Sequence, residues 1–435
     1  MKKVFTEEDF RPQPCGVAKK VVVIGGGVTG ALSAFELARA GHQVTLIEAG
    51  GLGNGSSSRS AACIRQQFGT PSTVKGMIYC TAFYKNWAEI MGDASKISPM
   101  ISNGYLFLKA WGAKMSEVEA LVDIQHKAGL SDVCILSKKE LEGKFPYLET
   151  TGLECATWCP SDGFLDPVIV YADAAEKASK HGATILQNEE VSSVEFDGAK
   201  AVGVKTKSGK VFHADIFVNA AGVWSPRISS MFDGYHLDIK AHRRYLYYLE
   251  GFKEEGEQGD FLLDAKDFHN LPMIITPRDG YCRPQGNQLM MGWAHKTKPS
   301  HPVFGEQGII EPGFGINADN SYGEALRKEI GTYLPDAIKG GKMRNLSSVA
   351  SGFYEDTPDH NPFIGYDPWV SNLIHAAGFS GHGLMHAPFS ALLVSNLVNE
   401  NKDLDVVKLP LDLGPVDVKT FHLEREFKTS ESMVI

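Results

Sequence analysis

The sequence predicts an α/β fold with two domains, one built on a parallel sheet and the other on an antiparallel sheet with helices. Two glycine-rich turns, near Gly25 and Gly378, each follow an apolar strand and open a helix. Strand-like segments with few helical patterns fill much of residues 242–293 and indicate the antiparallel sheet. Because the two turns lie near opposite ends of the chain, the first domain must be assembled from separated segments.

The segment Lys20–Gly30 carries the strongest signal. Its valine-rich start is typical of a buried strand, and three glycines follow at G-x-G-x-x-G spacing. An amphipathic helical pattern comes next, and Gln43–Ile47 has the composition of a second strand. This order of strand, tight turn, helix and strand predicts a Rossmann-like dinucleotide-binding unit.

Each residue type in this unit has a physical role. Gly25 permits the sharp turn, Gly27 lets a pyrophosphate approach the backbone, and Gly30 lets the helix pack closely on the strand. Glu48, at the end of the second strand, can accept hydrogen bonds from ribose hydroxyls and would repel a 2′-phosphate. On this unit alone NAD is the default ligand, and a glycine turn with an empty site is the alternative.

Composition limits the classes of function. The 435-residue chain has a net charge of −9 and no basic block, so nucleic acid is not an expected partner. No apolar run reaches the length of a membrane span. The seven cysteines are scattered, and residues 1–18 form an arm without an apolar leader, which together indicate reduced thiols and a cytoplasmic protein.

A further segment has the composition of a ligand-binding loop. The glycine- and serine-rich stretch 50–62 can wrap around a large ligand, although a flexible surface loop is the alternative.

Residues 155–166 are interpreted as a turn-rich crossing, and a helix is expected over Pro388–Glu400. The predicted boundaries are an arm over 1–18, a cofactor domain over 19–100, 150–235 and 342–401, a substrate domain over 101–149 and 236–341, and a tail over 402–435.

Five motifs agree with one family pattern. They are GGGVTG with Glu48, GSSSRSAACIR, NAAGVW, GFYEDTPDHNPFIG and GFSGHGLMHAP. From about Lys19 to Asn401 the chain resembles the D-amino-acid oxidase superfamily of FAD enzymes, and most of all its branch of sarcosine oxidase, dimethylglycine dehydrogenase and glycine oxidase. The resemblance implies a D-amino-acid-oxidase-like fold with FAD rather than NAD. It also implies oxidation of a C–N bond by hydride transfer to flavin, followed by imine hydrolysis.

The resemblance also assigns cofactor contacts. The first glycine turn would hold the ADP half, the serine loop the pyrophosphate and ribityl chain, and the second turn the pyrimidine edge of the flavin. Attachment is expected to be non-covalent. Gly352 stands where some relatives carry the attaching cysteine, and no histidine lies between Gly50 and Pro71, where others carry an attaching histidine after the serine loop. The assigned residues are Gly25, Gly27, Val28, Thr29, Gly30, Glu48, Ala49, Ser56, Ser57, Ser58, Arg59, Val191, Ala220, Ala221, Gly222, Trp224, Gly352, Gly378, Ser380, Gly381, His382, Gly383, Leu384 and Met385.

The resemblance also implies residues that contact the substrate, and each of them has an alternative role. Arg65 matches the arginine that binds the substrate carboxylate in sarcosine oxidase, with a surface or pyrophosphate-neighbouring arginine as the alternative. Arg283 would face the substrate or form an edge-strand salt bridge. The tyrosines either line the pocket or belong to the strand core. The set is completed by Tyr245, Tyr281 and Tyr354.

Two departures from the family leave the electron acceptor open. Sarcosine oxidase has one lysine in the strand that matches Met290–Met291 and another at the position of Met385. Methionine carries no charge to assist oxygen, and Lys296 or His295 would have to replace the first lysine. Oxygen or another acceptor therefore remains the expectation. His382 and His386 lie four residues apart without a third ligand, so no metal is predicted.

The leading hypothesis is oxidation of a small amino-acid-like molecule with a secondary or tertiary amine, such as sarcosine, dimethylglycine or an iminodiacetate-like compound. One alternative is a D-amino-acid or glycine oxidase, and another is a glycerol-3-phosphate-type dehydrogenase, for which a denser basic cluster would be needed. A third is a non-catalytic flavin-binding assembly factor. The sequence leaves the oligomeric state open, a homo-oligomer included.

Overall fold

The strands and helices below are those of a computed structural model. It describes residues 5–92, 97–198, 200–250, 263–293, 320–338, 342–343, 350–427 and 430–433. The expectation for His295 and Lys296 lies outside these residues.

The predicted parallel sheet is present and is assembled from distant parts of the chain. Its strands, in spatial order, are Phe363–Tyr366, Leu373–Ala377, Ile216–Asn219, Lys20–Ile24, Gln43–Ile47 and Thr184–Leu186. Neighbours are parallel throughout, except for the antiparallel edge strand Phe363–Tyr366. Val22 pairs with Phe217 on one side and with Thr45 on the other, so the glycine turn follows a central strand. The α/β expectation is confirmed.

Helices cover this sheet and bring the two glycine-rich turns together. Val28–Arg39 packs between Pro167–Lys180 and Gly383–Glu400. The last helix begins at Gly383 rather than at Pro388, as the sequence analysis expected, with the proline inside it. Since Pro388 has no N–H, the carbonyl of Leu384 lacks its helical donor, and the Tyr84 hydroxyl donates to it instead at 2.6 Å.

The second sheet confirms the antiparallel expectation and has one parallel pair, Tyr105–Ala110 with Met273–Ile275. Its strands, in spatial order, are Lys342–Met343, Lys240–Glu250, Gln288–Trp293, Gly280–Gln285, Met273–Ile275, Tyr105–Ala110, Leu153–Cys159 and Cys134–Ser137, and Ala350–Asp356 also pairs with Lys240–Glu250.

Three strands of this sheet lie in ranges that the sequence analysis gave to the cofactor domain. They are Leu153–Cys159, Lys342–Met343 and Ala350–Asp356. The interpretation of residues 155–166 as a turn-rich crossing was wrong, because this stretch contains most of the first strand and all of Gly163–Leu165. Leu153–Cys159 is paired on both edges and buried along nearly its whole length, so it shows no alternation of polar and apolar residues.

Smaller elements complete the described structure. The remaining strands are Val191–Asp197, Lys200–Thr206 and Val211–His213; Cys63–Ile64, Gly163–Leu165 and Met100–Ile101; and Val406–Leu409 with Gly414–Asp417. The remaining α-helices are Pro71–Lys85, Trp87–Met91, Met115–Lys127, Lys138–Lys144, Ser225–Met231, Ala265–His269, Asn320–Tyr333 and Pro335–Ile338. Short 3-10 helices cover Glu7–Phe10, Ser57–Arg59, Gly222–Trp224 and Lys419–Phe421. None of the helices in the described ranges has the length and apolar character needed to cross a membrane.

A buried ion pair fixes the N-terminal arm to the first helix of the parallel domain. Nη2 of Arg39 lies 2.6 Å from Oε1 of Glu36, and the two side chains are 1% and 0% exposed. Arg39 also donates to the carbonyl of Phe10, a residue that is itself fully buried, and its guanidinium lies over the ring of Phe35. Burial raises the pKa of Glu36, and the charge of Arg39 opposes that change.

Replacing Arg39 with Met should therefore destabilise the protein strongly at neutral pH. A buried carboxyl group that loses its partner costs about 3–5 kcal/mol, and the loss should be smaller near pH 5, where Glu36 can take up a proton. Urea unfolding at the two pH values measures it. Arg11→Ala, which breaks an exposed pair with Glu8, is the control and should cost less than about 1 kcal/mol. Equal losses for the two variants would contradict a buried-charge origin.

Candidate active site

A cavity of about 720 Å³ lies between the parallel sheet and the antiparallel sheet. All five of the sequence motifs meet there, together with strand ends from both domains. Of the residues assigned to the cofactor, the cavity is lined by Gly25, Gly27, Val28, Thr29, Glu48, Ala49, Ser56, Ser57, Arg59, Val191, Ala220, Ala221, Gly222, Trp224, Gly352, Gly381, Gly383 and Leu384. Its volume is in the usual range for a ligand pocket.

Four assigned residues support the cavity from behind its wall. A side chain at Gly30 would collide with the carbonyl oxygen of Gly25, so this glycine permits the close packing of helix on strand. The Ser58 N–H donates to the Gly53 carbonyl at 3.2 Å. Ser380 is buried and accepts from the Thr357 N–H at 3.2 Å. Gly378 has φ +79°, and a Cβ there would lie 2.5 Å from a methyl group of Thr357.

The glycine turn forms a cradle for an anionic group. Gly25 has φ +111°, and a Cβ at this position would lie 2.5 Å from the Ala220 carbonyl oxygen. At Gly27 a Cβ would approach the Ser57 hydroxyl to 3.1 Å, and this hydroxyl accepts from the Val28 N–H. Gly27, the N-cap residue of the helix that starts at Val28, supplies no capping side chain, and this end of the helix lies at the cavity. Such an N-terminus suits phosphate.

Glu48 is held rigidly at the end of its strand. One carboxylate oxygen accepts from the Gly26 N–H at 2.6 Å, and the other accepts from the Gly50 N–H at 2.8 Å. The side chain still lines the large cavity. A carboxylate fixed beside the phosphate cradle fits a ribose with free hydroxyls.

The opposite end of the large cavity is aromatic. Gly381 has φ +87°, and a side chain there would collide with the ring of Tyr354. Burial raises the pKa of Tyr354 to about 12 and raises that of Tyr281 as well, so both remain neutral. Arg244 lies 5.0 Å from the Tyr354 ring centroid and also lines the cavity. The sequence analysis missed Arg244, and its pairing with Gly352 across the sheet is what brings it here.

A second cavity, of about 40 Å³, adjoins this aromatic end. The two cavities share several lining residues, Tyr281, Tyr354 and Gly381 among them. The full lining is Ser60, Ala61, Ala62, Cys63, Arg65, Tyr105, Met273, Tyr281, Tyr354, Gly381, His382, Leu384 and Met385. It therefore contains both the first candidate arginine and the last residues of the second glycine motif.

Arg65 is buried at the small cavity, with only 1% of its surface exposed. Its guanidinium donates to the carbonyls of Gln67 and Met433 and lies 3.9 Å from the ring centroid of Phe68. Within the described ranges its Nε has no hydrogen-bond partner, and no carboxylate forms an ion pair with it. Burial lowers the pKa of Arg65, while the nearby charges of Glu431 and Asp162 act to raise it.

Two other candidates lie away from both cavities. Arg283 is buried and donates to the carbonyls of Ala61 and Pro284 at 2.8 and 2.9 Å, so it supports the wall rather than lining it. Tyr245 packs against the core on the other face of the antiparallel sheet. Because side chains alternate along a strand, its neighbours Arg244 and Leu246 face the cavity instead.

The histidines of the second glycine motif are neutral. Burial and the charge of Arg65 lower the pKa of His382, and the same causes lower that of His386 to about 3. Phe68 packs edge-on against both rings. His382 Nε2 and His386 Nδ1 have no hydrogen-bond partner among the described residues. Among all the residues that the structure describes, no group of three or more His, Cys, Asp or Glu side chains could hold a metal ion.

The family comparison agrees with this geometry. Residues 20–397 match the DAO family, described as FAD dependent oxidoreductase. The chain belongs to this family. Its cofactor is FAD, and the protein is an FAD-dependent oxidoreductase. The residues present fit that cofactor, because an uncapped helix N-terminus, a glycine cradle and the fixed Glu48 carboxylate line one cavity.

Three relatives illustrate the likeness. A bovine (Bos taurus) FAD-dependent oxidoreductase domain-containing protein 1 is 27% identical over 87% of this chain and 81% of its own length. Human (Homo sapiens) mitochondrial sarcosine dehydrogenase is 25% identical over 88% of this chain but only 39% of its own length. The crystal structure of L-proline dehydrogenase from P.horikoshii superposes with a TM-score of 0.75 at 26% identity, covering 92% of this chain and 96% of that one.

Glu355 is a titratable group at the cavity that the sequence analysis did not single out. Its carboxyl group accepts from the N–H groups of Gly378 and Phe379, and its Oε2 has no partner in the described structure. Burial nevertheless raises its pKa to about 7. Its motif, GFYEDTPD, was noted only for the family likeness.

The stability of the flavin-free protein should fall as the pH rises from about 4.5 to about 7. The folded state binds the Glu355 proton more tightly than the unfolded chain does, so deprotonation favours unfolding. Glu355→Gln should remove the part of this dependence that Glu355 contributes and stabilise the protein at pH 8 by on the order of 3 kcal/mol, with little change at pH 5. Urea unfolding at both pH values tests this, with the exposed Glu119→Gln as control. A variant whose pH profile matches the wild type would contradict the assignment.

Proposed function

We propose that this oxidoreductase oxidises the C–N bond of a small amino acid with a secondary or tertiary amine, such as sarcosine, dimethylglycine or an iminodiacetate-like compound. The imine product is then hydrolysed in water. The observation that carries the proposal is the buried Arg65, which has no carboxylate partner in the described structure, at a small cavity beside the cofactor cavity. The names of sarcosine dehydrogenase and L-proline dehydrogenase, both for secondary amino acids, support it.

Arg65 would bind the substrate carboxylate. A buried guanidinium without a counter-ion is unfavourable, and an anionic ligand relieves that cost. A planar guanidinium also fixes the orientation of a carboxylate through paired hydrogen bonds. The small volume of the cavity favours a substrate whose side chain is short or absent.

The amine would react as the neutral base. Among the described residues that line the small cavity there is no Asp or Glu, so no anion there stabilises an ammonium group. His382 stays neutral and adds no charge of its own. FAD, when bound, would supply the hydride acceptor, and the chain's part would be to orient the substrate between Tyr354, Tyr281 and Leu384 and to exclude water.

We further propose non-covalent flavin and a reducing compartment such as the cytoplasm. Gly352 lines the cofactor cavity without a side chain that could form a bond to FAD. All seven cysteines are free thiols.

Anaerobic mixing with N-alkyl glycines should bleach the flavin absorbance of the purified protein. The expected order is faster reduction by sarcosine, dimethylglycine or iminodiacetate than by glycine or a D-amino acid, because the proposed substrate carries an N-substituent. Stopped-flow absorbance measures it, and sn-glycerol 3-phosphate serves as the non-amine control. Preference for glycine or a D-amino acid would favour the primary-amine alternative. No reduction by any amine would favour a non-catalytic flavoprotein.

Arg65→Ala should weaken substrate binding by roughly 10- to 100-fold, since a hydrogen-bonded ion pair contributes about 1.5–3 kcal/mol. The concentration that gives half-maximal flavin reduction should rise, and the methyl ester of the same amino acid should be much less affected. Arg278→Ala, which changes an exposed arginine in the turn between Met273–Ile275 and Gly280–Gln285, is the control. If Arg65→Ala leaves half-saturation unchanged, the carboxylate is bound elsewhere.

A further inference from the structure

A short segment near the end of the chain contacts the loop that carries Arg65. This segment, Ser430–Met433, is called the 430–433 segment below. The carbonyl oxygen of Met433 accepts a hydrogen bond from Arg65, and the other guanidinium hydrogen bond goes to the carbonyl of Gln67. Both acceptors are neutral, so the guanidinium is held in place without its charge being cancelled.

Glu431 fixes the 430–433 segment to the Arg65 loop. Its side chain is 2% exposed, and its carboxylate accepts from the Gly69 N–H at 2.6 Å and the Thr70 N–H at 3.1 Å. The Thr70 hydroxyl and the Met433 N–H donate to the same group at 3.1 and 3.0 Å. Four donors on one buried carboxylate define the position of the segment closely.

The lack of a side chain at Gly69 makes room for this contact. A Cβ at this position would collide with the Ser432 hydroxyl and lie 2.9 Å from Oε1 of Glu431. A residue larger than glycine must therefore displace the Ser432 side chain and the Glu431 carboxylate, and so disturb the contact between the 430–433 segment and the loop.

The 430–433 segment also contacts the loop that follows the strand carrying Tyr354. The Glu431 N–H and the Ser430 hydroxyl donate to the Asp359 carbonyl at 2.9 and 3.3 Å. The Asp359 carboxylate is in turn paired with Arg425 at 2.8 Å. Asp359 follows the Ala350–Asp356 strand in the chain, so the segment connects two walls of the small cavity.

We propose that the 430–433 segment completes the substrate site and that Glu431 is a positioning residue for the carboxylate-binding Arg65. Glu431 acts by holding the Met433 carbonyl against the guanidinium, which directs the remaining donor capacity of Arg65 toward the small cavity. Its charge lies near Arg65 without contact. This inference rests on the proposed function, because it assigns to Arg65 an anionic substrate.

The test compares Glu431→Gln with the wild-type flavoprotein in anaerobic reduction by the best amine of the panel. The half-saturating concentration should rise at least fivefold, while the limiting rate of flavin reduction stays within about twofold. The effect should be absent for the methyl ester, which offers no charge to Arg65. Gly69→Ala should give the same result by displacing the segment. Glu424→Gln, an exposed acid just before the segment, is the matched control.

The double variant Arg65→Ala/Glu431→Gln tests whether Glu431 acts by positioning Arg65 or supports the fold in general. If Glu431 acts through Arg65, the double variant should bind substrate no more weakly than Arg65→Ala alone. Independent, multiplying effects, or equal effects on acid and ester, would overturn the proposal. Failure of the wild type to react with any amine would instead reject the proposed function.

Amide hydrogen exchange of the wild-type holoprotein covers the case in which the variants do not fold. Acetate, used as the simplest carboxylate probe, should slow exchange of the Gly69, Thr70 and Glu431 amides if the segment and the anion-binding guanidinium are coupled. Chloride at equal ionic strength is the control. Unchanged exchange at an acetate concentration that alters the flavin spectrum would overturn the proposal.

Discussion

The close contact between Gly30 and Gly25 is the constraint on which the rest of the molecule depends. It lets the first helix start directly above the end of the central strand, and Ala220 of the neighbouring strand occupies the remaining space at Gly25. The helix N-terminus then faces the carboxyl ends of the parallel strands, where an open α/β sheet binds its ligand. The antiparallel sheet covers this edge, so the cofactor cavity and the small substrate cavity form at the boundary of the two domains.

Buried arginines in this structure follow two different patterns. Arg39 is paired with Glu36, and Arg425 is paired with Asp359, so each charge is neutralised where it is buried. Arg65 is equally buried but donates to two carbonyls and lies over an aromatic ring. Carbonyl and aromatic contacts orient a guanidinium while leaving its net charge available. Arg283 is also buried, donates to two carbonyls and lies over the ring of Phe164, but it lines neither cavity. Its position at the small cavity is therefore what distinguishes Arg65 as the candidate binding arginine.

Sequence reasoning reached the parts of the site that are encoded locally. The glycine turn, Glu48 and the Gly381 turn lie in short motifs whose spacing has a direct physical meaning, and the structure brings them to one cavity. Arg244 could not be found in this way, because it reaches the cavity through its register with Gly352, which lies far along the chain. Met433 and Glu431 act through tertiary contacts of a segment with no motif. The strand Leu153–Cys159 was missed because burial on both faces removes the alternating pattern.

The charges around the small cavity suit the proposed substrate, which carries one negative group and a neutral amine. Arg65 supplies the single positive charge among the residues described there, and the low pKa of His382 prevents a second. A carboxyl group at this wall would stabilise the ammonium form, which has no lone pair to assist hydride loss. The raised pKa of Glu355 limits negative charge near the cofactor at neutral pH. The same burial that makes Arg65 costly without a ligand would therefore also keep the amine of the proposed substrate in its reactive form, because each effect follows from excluding water and counter-ions.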